Sequence, residues 1–238
     1  MSLRSPHARW LLRSALALLS TISVLTSAQV RAEPSGSLTF IEVRVEARGH
    51  AANILRDQAS SQARHISPPT QITLLQEVSR PERFVLLERE QSAAPTRGAL
   101  EIDSLRGALA DELTAPPDLR ANRDFGQDTG STGTKLDARA SLYVIAHLDL
   151  ALPAPPDRAR AEIALQQLAA AARQSSGNLG IVVWQQTERP NHFNLISGWL
   201  SESQFHAFAA TPAAREFRRI VGPMLGSPYD ERLFRRVD

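Results

Sequence analysis

The chain has 238 residues, of which 42% are hydrophobic, 22% charged and none cysteine, with 27 Lys and Arg against 25 Asp and Glu. These proportions fit an ordinary globular chain of one or two domains and exclude collagen-like, low-complexity and disulfide-stapled classes. Arg4, Arg9, Arg13 and Arg31 fall in the first 32 positions, which hold no acid, so the rest carries 27 − 4 = 23 basic groups against 25 acidic ones and offers no basic patch for nucleic acid.

Residues 1–32 read as a secretory signal peptide, with a basic start, an apolar run from Ala15 to Leu25, and small residues before a cleavage point after Ala32 or, in competition, Ala28. The alternative, an uncleaved anchor, is disfavoured because that run is too short for roughly 30 Å of hydrocarbon. No later stretch approaches the ~18 consecutive apolar residues of a membrane span. The expectation is an exported chain, periplasmic or secreted, with no membrane span after signal removal. Without cysteine it must rely on an apolar core there.

Leu38 to Val45 then form an apolar, strand-like stretch, and His50 to His65 place Ala51, Ile54, Leu55, Ala59 and Ala63 on a helical period. Residues 72–90 are two β-branched and aliphatic runs flanking Arg80-Pro81, the pattern of a β-hairpin, since proline presets φ for a turn. A helical region follows at about Ala99 to Leu113, and a short strand from Asp118 to Phe125. Gly126 to Ala140 is rich in glycine and threonine and reads as a flexible linker. Leu142 to Leu150 is the next strand. Pro156 to Arg173 is the next helix, its apolar face assigned to Ile163, Leu165, Leu168, Ala169 and Ala172, with Asp157 and Gly177 as start and stop signals. Residues 181–199 form a second hairpin around Arg189-Pro190, a helical region spans about Glu202 to Val221 with Thr211-Pro212 interrupting it, and Tyr229 to Val237 is the last strand.

The two hairpins align without a gap at an offset of 190 − 81 = 109, and both contain Arg-Pro-x-x-Phe-x-Leu. Their flanking elements repeat as well. The order β-α-β-β-α-β therefore occurs twice, in residues 33–125 and 141–238, so the fold class is α+β: two tandem ferredoxin-like units, each an antiparallel sheet with helices on one face. Each sheet leaves its other face to be buried, and two copies in one chain can press those faces together. An intrachain dimeric α/β barrel, a pseudo-dimer within a monomer, is the expectation.

From Leu142 to Val237 the second unit resembles the antibiotic biosynthesis monooxygenase (ABM) domain of the dimeric α/β-barrel superfamily. The resemblance rests on the order of elements, Gly177-Asn178-Leu179-Gly180, the hairpin with Phe193, Trp199 at a strand end, the helix start from Phe205 to Phe208, and Phe217 to Leu225. The first unit is similar to it as a diverged copy. Members commonly carry Glu-x-Trp at the end of the third strand and a histidine on the next helix. Here Trp199 is present but Ser197 holds the glutamate position, Glu88 is present in the first copy but Glu90 holds the tryptophan position, and the histidine place falls at Phe208 with His206 slightly earlier.

The resemblance implies cofactor-free oxygenation of a small aromatic or quinol-like molecule by dioxygen, with no metal. A site for it needs an aromatic wall and convergent polar groups in an apolar mouth. The catalytic candidates are Trp199 as wall, Asn194 as hydrogen-bond partner, and His206, with His192 as an alternative acid/base. The candidate substrate-binding residues are Trp184, Tyr143, His147, Phe208 and Glu88. Asn194 and Trp199 are an odd number apart, so a regular strand points them to opposite faces and a bulge is needed to unite them. Each candidate also has a packing reading: Trp199 and Trp184 as core, His147 as a structural hydrogen-bonder facing with Tyr143, His192 as a loop residue, His206 as helix surface, Glu88 as a salt-bridged strand end. No nucleotide-binding, nucleophile-elbow or zinc motif occurs, and haem degradation finds no asparagine on the first strand of the second copy. The rival to the oxygenase is a non-catalytic barrel of the cell envelope that binds a small apolar ligand. The two separate on whether Trp199, Asn194 and His206 line one cavity.

Overall fold

A computed structural model describes residues 36–65, 70–90, 102–125, 136–151 and 154–238. The expected signal peptide, the 66–69 and 91–101 connections and most of the expected linker lie outside the described residues. No helix among the described residues is long and apolar enough to cross a membrane.

The first unit contains strand β1 (Gly36–Glu42), helix α1 (Arg48–His65), the hairpin β2 (Thr70–Glu77) and β3 (Arg83–Glu90), helix α2 (Ile102–Ala108) and strand β4 (Asp118–Asp124). The second contains β5 (Leu142–Asp149), α3 (Pro155–Gln174), the hairpin β6 (Asn178–Gln186) and β7 (His192–Trp199), α4 (Glu202–Ala209), α5 (Pro212–Val221) and β8 (Asp230–Arg236). Thr211 explains the division of the last helical region. Its hydroxyl accepts from the Ala214 amide at 3.3 Å, and Pro212 occupies the first turn of the new helix, where no amide hydrogen is required.

The strands close into one barrel in the order β1-β3-β2-β8-β5-β7-β6-β4. Two four-stranded sheets meet at seams where β2 pairs with β8 (Leu75 opposite Arg236) and β4 with β6 (Asn122 opposite Gln186). Closure joins the outer strands of the two sheets over three residue pairs at each seam.

Alternation along each strand then separates three cores. Leu38, Leu75, Val85, Leu87, Tyr143, Ile145, Val182, Trp184, Ile196 and Phe234 fill the barrel interior. Ile41, Leu55, Phe84, Leu86, Leu105 and Leu109 pack under the helices of the first unit. Val144, Leu148, Leu165, Leu168, Phe193, Leu195, Trp199, Phe205, Phe208 and Phe217 pack under those of the second. On α3 the buried set is Ala161, Ala164, Leu165, Leu168, Ala169 and Ala172, whereas Ile163 is 54% exposed. Ile163 is two residues before Leu165, about 200° around the helix, so the smaller Ala161 and Ala164 hold the face that the sequence assigned to it.

The described end of the expected linker is structured. Leu136 and Ala140 are buried in the barrel interior, and the Asp137 amide donates to the Leu179 carbonyl at 2.9 Å. Composition hides this because a single leucine carries the packing. Arg139 binds both carboxylate oxygens of Asp137 and holds that acid down to about 2.

Candidate functional site

One mouth of the barrel contains a cavity of about 260 Å³, slightly below the ~300 Å³ from which pockets for drug-sized ligands begin. Its apolar wall is Phe40, Val85, Ile145 and Phe234, and its polar groups include His147, Arg120, Glu77, Arg83 and Arg232. All come from interior-facing positions of six strands, β1 to β5 and β8.

His147 is positioned by a chain of hydrogen bonds across three strands. Its Nδ1 lies 2.9 Å from Asn194 Oδ1, Asn194 Nδ2 donates to Asn122 Oδ1 at 2.8 Å, and Asn122 Nδ2 donates to the Arg120 carbonyl at 2.6 Å. Arg120 Nη1 also lies 3.5 Å from Nδ1, but the Asn194 oxygen is the nearer partner; with it as acceptor the ring proton sits on Nδ1 and Nε2 is the basic nitrogen. Burial pushes the His147 imidazole below its ordinary value, Arg120 and His192 add to that, and the Asn194 hydrogen bond opposes it. The ring is therefore neutral near pH 7, as a base must be. Arg120 is held by Asp118, with contacts of 2.9 and 2.7 Å, and lies 4.5 Å over the Phe40 ring.

Arg232 is held in the same way by Asp230 at 2.6 Å. Burial works against its charge, but the hydrogen bond and charge of Asp230, with Glu77 and Glu42, raise the guanidinium above its ordinary value.

The sequence-predicted residues separate into three places. Asn194, His147, Tyr143 and Trp184 occupy the barrel interior, and Trp184 Nε1 donates to Asp124 Oδ1 at 2.8 Å. Burial raises the Tyr143 hydroxyl above its ordinary value. Trp199 and Phe208 lie on the other face of the sheet, stacked with ring centres 5.2 Å apart, while Phe205 meets Trp199 edge-on at 5.8 Å. Trp199 Nε1 donates to Ser197 Oγ at 2.9 Å, so Ser197 serves the indole. His206 is 61% exposed on α4 and faces Glu202 at 3.5 Å, and Glu88 lies on the helix-facing side of β3. β7 pairs with β5 in unbroken register from His192 to Trp199, so no bulge unites Asn194 with Trp199. The expected catalytic set of Trp199, Asn194 and His206 is thus divided by the sheet itself. His192 opens β7, with Nε2 3.3 Å from Asp149 and its ring 5.7 Å from that of His147, rather than standing free in a loop.

Sequence reasoning missed Arg120, Arg232, Asn122 and Glu77. A signal was available for two of them, because Asp-x-Arg recurs at Asp118-x-Arg120 and Asp230-x-Arg232, in the last strand of each unit. Glu77 gave none, since its repeat mate is Gln186.

Residues 144–220 match the family model described as antibiotic biosynthesis monooxygenase. No curated protein matches the chain in sequence. Among solved structures, one from Fusobacterium nucleatum, provisionally assigned as a monooxygenase, superposes with a TM-score of 0.66 at 7% identity, covering 87% of this chain and 94% of that one. A protein of Lactobacillus acidophilus with the same provisional assignment gives 0.59 at 13% identity, with 86% and 94% covered. An anthrone oxidase-like protein gives 0.58 at 16% identity, with 87% and 93% covered. These likenesses extend over both units and establish the tandem ferredoxin-like barrel.

Proposed function

From a second unit whose residues 144–220 match the antibiotic biosynthesis monooxygenase family model, we propose that the chain is a cofactor-independent monooxygenase acting on a small aromatic or quinol in the barrel mouth. The observation that carries this reading is the neutral, oriented His147 on the wall of the aromatic-lined cavity at the barrel mouth. His147 Nε2 takes the proton of a ring hydroxyl, and Arg120 offsets the negative charge that develops on the substrate. The electron-rich ring supplies every electron, so that a hydroquinone and dioxygen become a hydroxyquinone and water.

The test is oxygen uptake by the metal-stripped mature protein with a panel of hydroquinones and polyphenols. Uptake above autoxidation that falls about a hundredfold or more in His147→Ala supports the reading, since a positioned general base contributes roughly 10²–10⁴-fold. Absence of uptake by folded protein across the panel overturns it. The second reading, a non-catalytic barrel that binds a small ligand, is favoured by the separation of Trp199 and His206 from the cavity, and it predicts binding without uptake.

Export belongs to the same proposal. The basic and apolar pattern of residues 1–32 supports it, and N-terminal sequencing of the exported chain should begin at Glu33 or, with the competing cleavage, at Gln29. An intact Met1 there would refute it.

A further inference from the structure

The two units repeat in register as well as in order, apart from one irregularity between Asn178 and Ile181 in β6. Phe40 pairs with Val85 in the first unit where His147 pairs with Asn194 in the second. Gly36 faces Asn122 where Tyr143 faces Phe234, and at the seams Glu77 meets Phe234 where Gln186 meets Asn122. Exchanging the units leaves the cyclic strand order unchanged, so the pseudo-twofold runs along the barrel axis and both half-sites open on one mouth.

Under that exchange the hydrogen-bonded trio His147, Asn194 and Asn122 becomes Phe40, Val85 and Phe234. A homodimer would present two identical half-sites, whereas one chain with two diverged copies presents two different ones. Asn194 and Asn122 satisfy each other within the barrel, while Phe40, Val85 and Phe234 line the cavity.

Beside that apolar wall stands Glu77, 4% exposed, with a buried Oε2 that has no hydrogen-bond donor. Ser79 donates to the other oxygen at 2.6 Å. Guanidinium nitrogens of Arg83 and Arg232 stop at 3.9 Å from Oε2, and each has a nearer carboxylate, Glu42 at 3.2 Å and Asp230 at 2.6 Å. A buried acceptor without a donor is costly, and a donor brought by a ligand removes that cost.

We propose that the mouth holds a single, oriented site, one per chain, for a flat arene with an anchoring hydroxyl. The ring lies on Phe40, Val85 and Phe234, and the hydroxyl donates to Glu77 Oε2 as Arg83 and Arg232 part toward Glu42 and Asp230. In a quinol, the second hydroxyl is the one that reaches His147. This deepens the reading of the mouth as the functional site, but it does not depend on oxygen chemistry.

Anaerobic titration calorimetry with 1-naphthol and its methyl ether, 1-methoxynaphthalene, tests it on the unmodified chain. The expected result is one molecule of naphthol per chain and binding of the ether about ten- to a hundredfold weaker, the worth of a hydrogen bond to a charged group. In Glu77→Gln, checked for folding by circular dichroism, the preference for the hydroxyl should shrink about tenfold. Phe234→Asn, which copies the closed half-site into the open one, should abolish binding. Two molecules per chain, equal binding of alcohol and ether, or no binding of either at millimolar concentration overturns the proposal. One-to-one binding of naphthol together with an absence of oxygen uptake upholds it and removes only the oxygenase reading.

Discussion

Substitution of Trp199 by phenylalanine distinguishes a packing tryptophan from a catalytic one. The indole is fully buried, stacks on Phe208, meets Phe205 edge-on and donates to Ser197. Phenylalanine keeps an aromatic ring but loses the donor, which costs roughly 0.5–1.5 kcal/mol for the hydrogen bond. The smaller ring leaves part of the indole's volume empty and adds about 1 kcal/mol. The expected loss is therefore about 2 kcal/mol of a total near 5–15 kcal/mol. For a chain of this size that lowers Tm by roughly 4–8 °C. Thermal and urea unfolding measure the loss, while naphthol affinity and oxygen uptake, read below the transition, should match the parent protein. An unchanged Tm with uptake reduced a hundredfold would refute the placement and return Trp199 to the chemistry.

His147 makes stability depend on pH with a definite sign. Its folded value lies below the ordinary 6.5, so below that pH the unfolded chain takes up a proton that the native chain refuses. Stability should fall as pH drops through about 6.5 toward the folded value, and His147→Gln should flatten that slope; a slope unchanged by the substitution would contradict the buried, neutral ring. Gly36→Ala tests the barrel interior, because a Cβ there would lie 2.7 Å from the Trp184 ring and also against the Glu88 carbonyl. Overpacking of this kind costs roughly 1–3 kcal/mol in chemical denaturation, and a neutral result would mean that Trp184 does not lie across β1.

The fold was legible because its signals are local and repeated. Arg-Pro between two β-branched runs marks a hairpin wherever it occurs, and an offset of 109 between two such hairpins organises everything around them. Thr211-Pro212 announced its own helix break for the same reason. Ile163 misled because hydrophobicity alone cannot tell a large exposed residue from a small buried one, and alanines decide the face of α3.

The site was less legible because it is built by closure. Asn194 and Trp199 share a strand and were read as partners, yet alternation assigns one to the barrel interior and the other to the helix layer. Asn194 meets His147 across one pairing and Asn122 from the opposite unit, contacts separated by 47 and 72 residues. Resemblance drew attention to the helix-facing side, where Trp199, Phe205 and Phe208 now fill the space with aromatic packing. The interior face that two fused sheets create contains the cavity instead. Fusion also explains why half of each expected pattern is missing. Two copies in one chain need not satisfy one sequence twice, so Glu77 can remain acidic while Gln186 does not, and His147 can be polar where Phe40 is not. These divergences leave strand register unchanged at both seams and through the hairpins, apart from the irregularity between Asn178 and Ile181 in β6. The repeat thus retains the architecture while its broken positions mark where the chain treats its two halves differently, and Phe40, Glu77, Val85, His147 and Phe234 among them line the mouth.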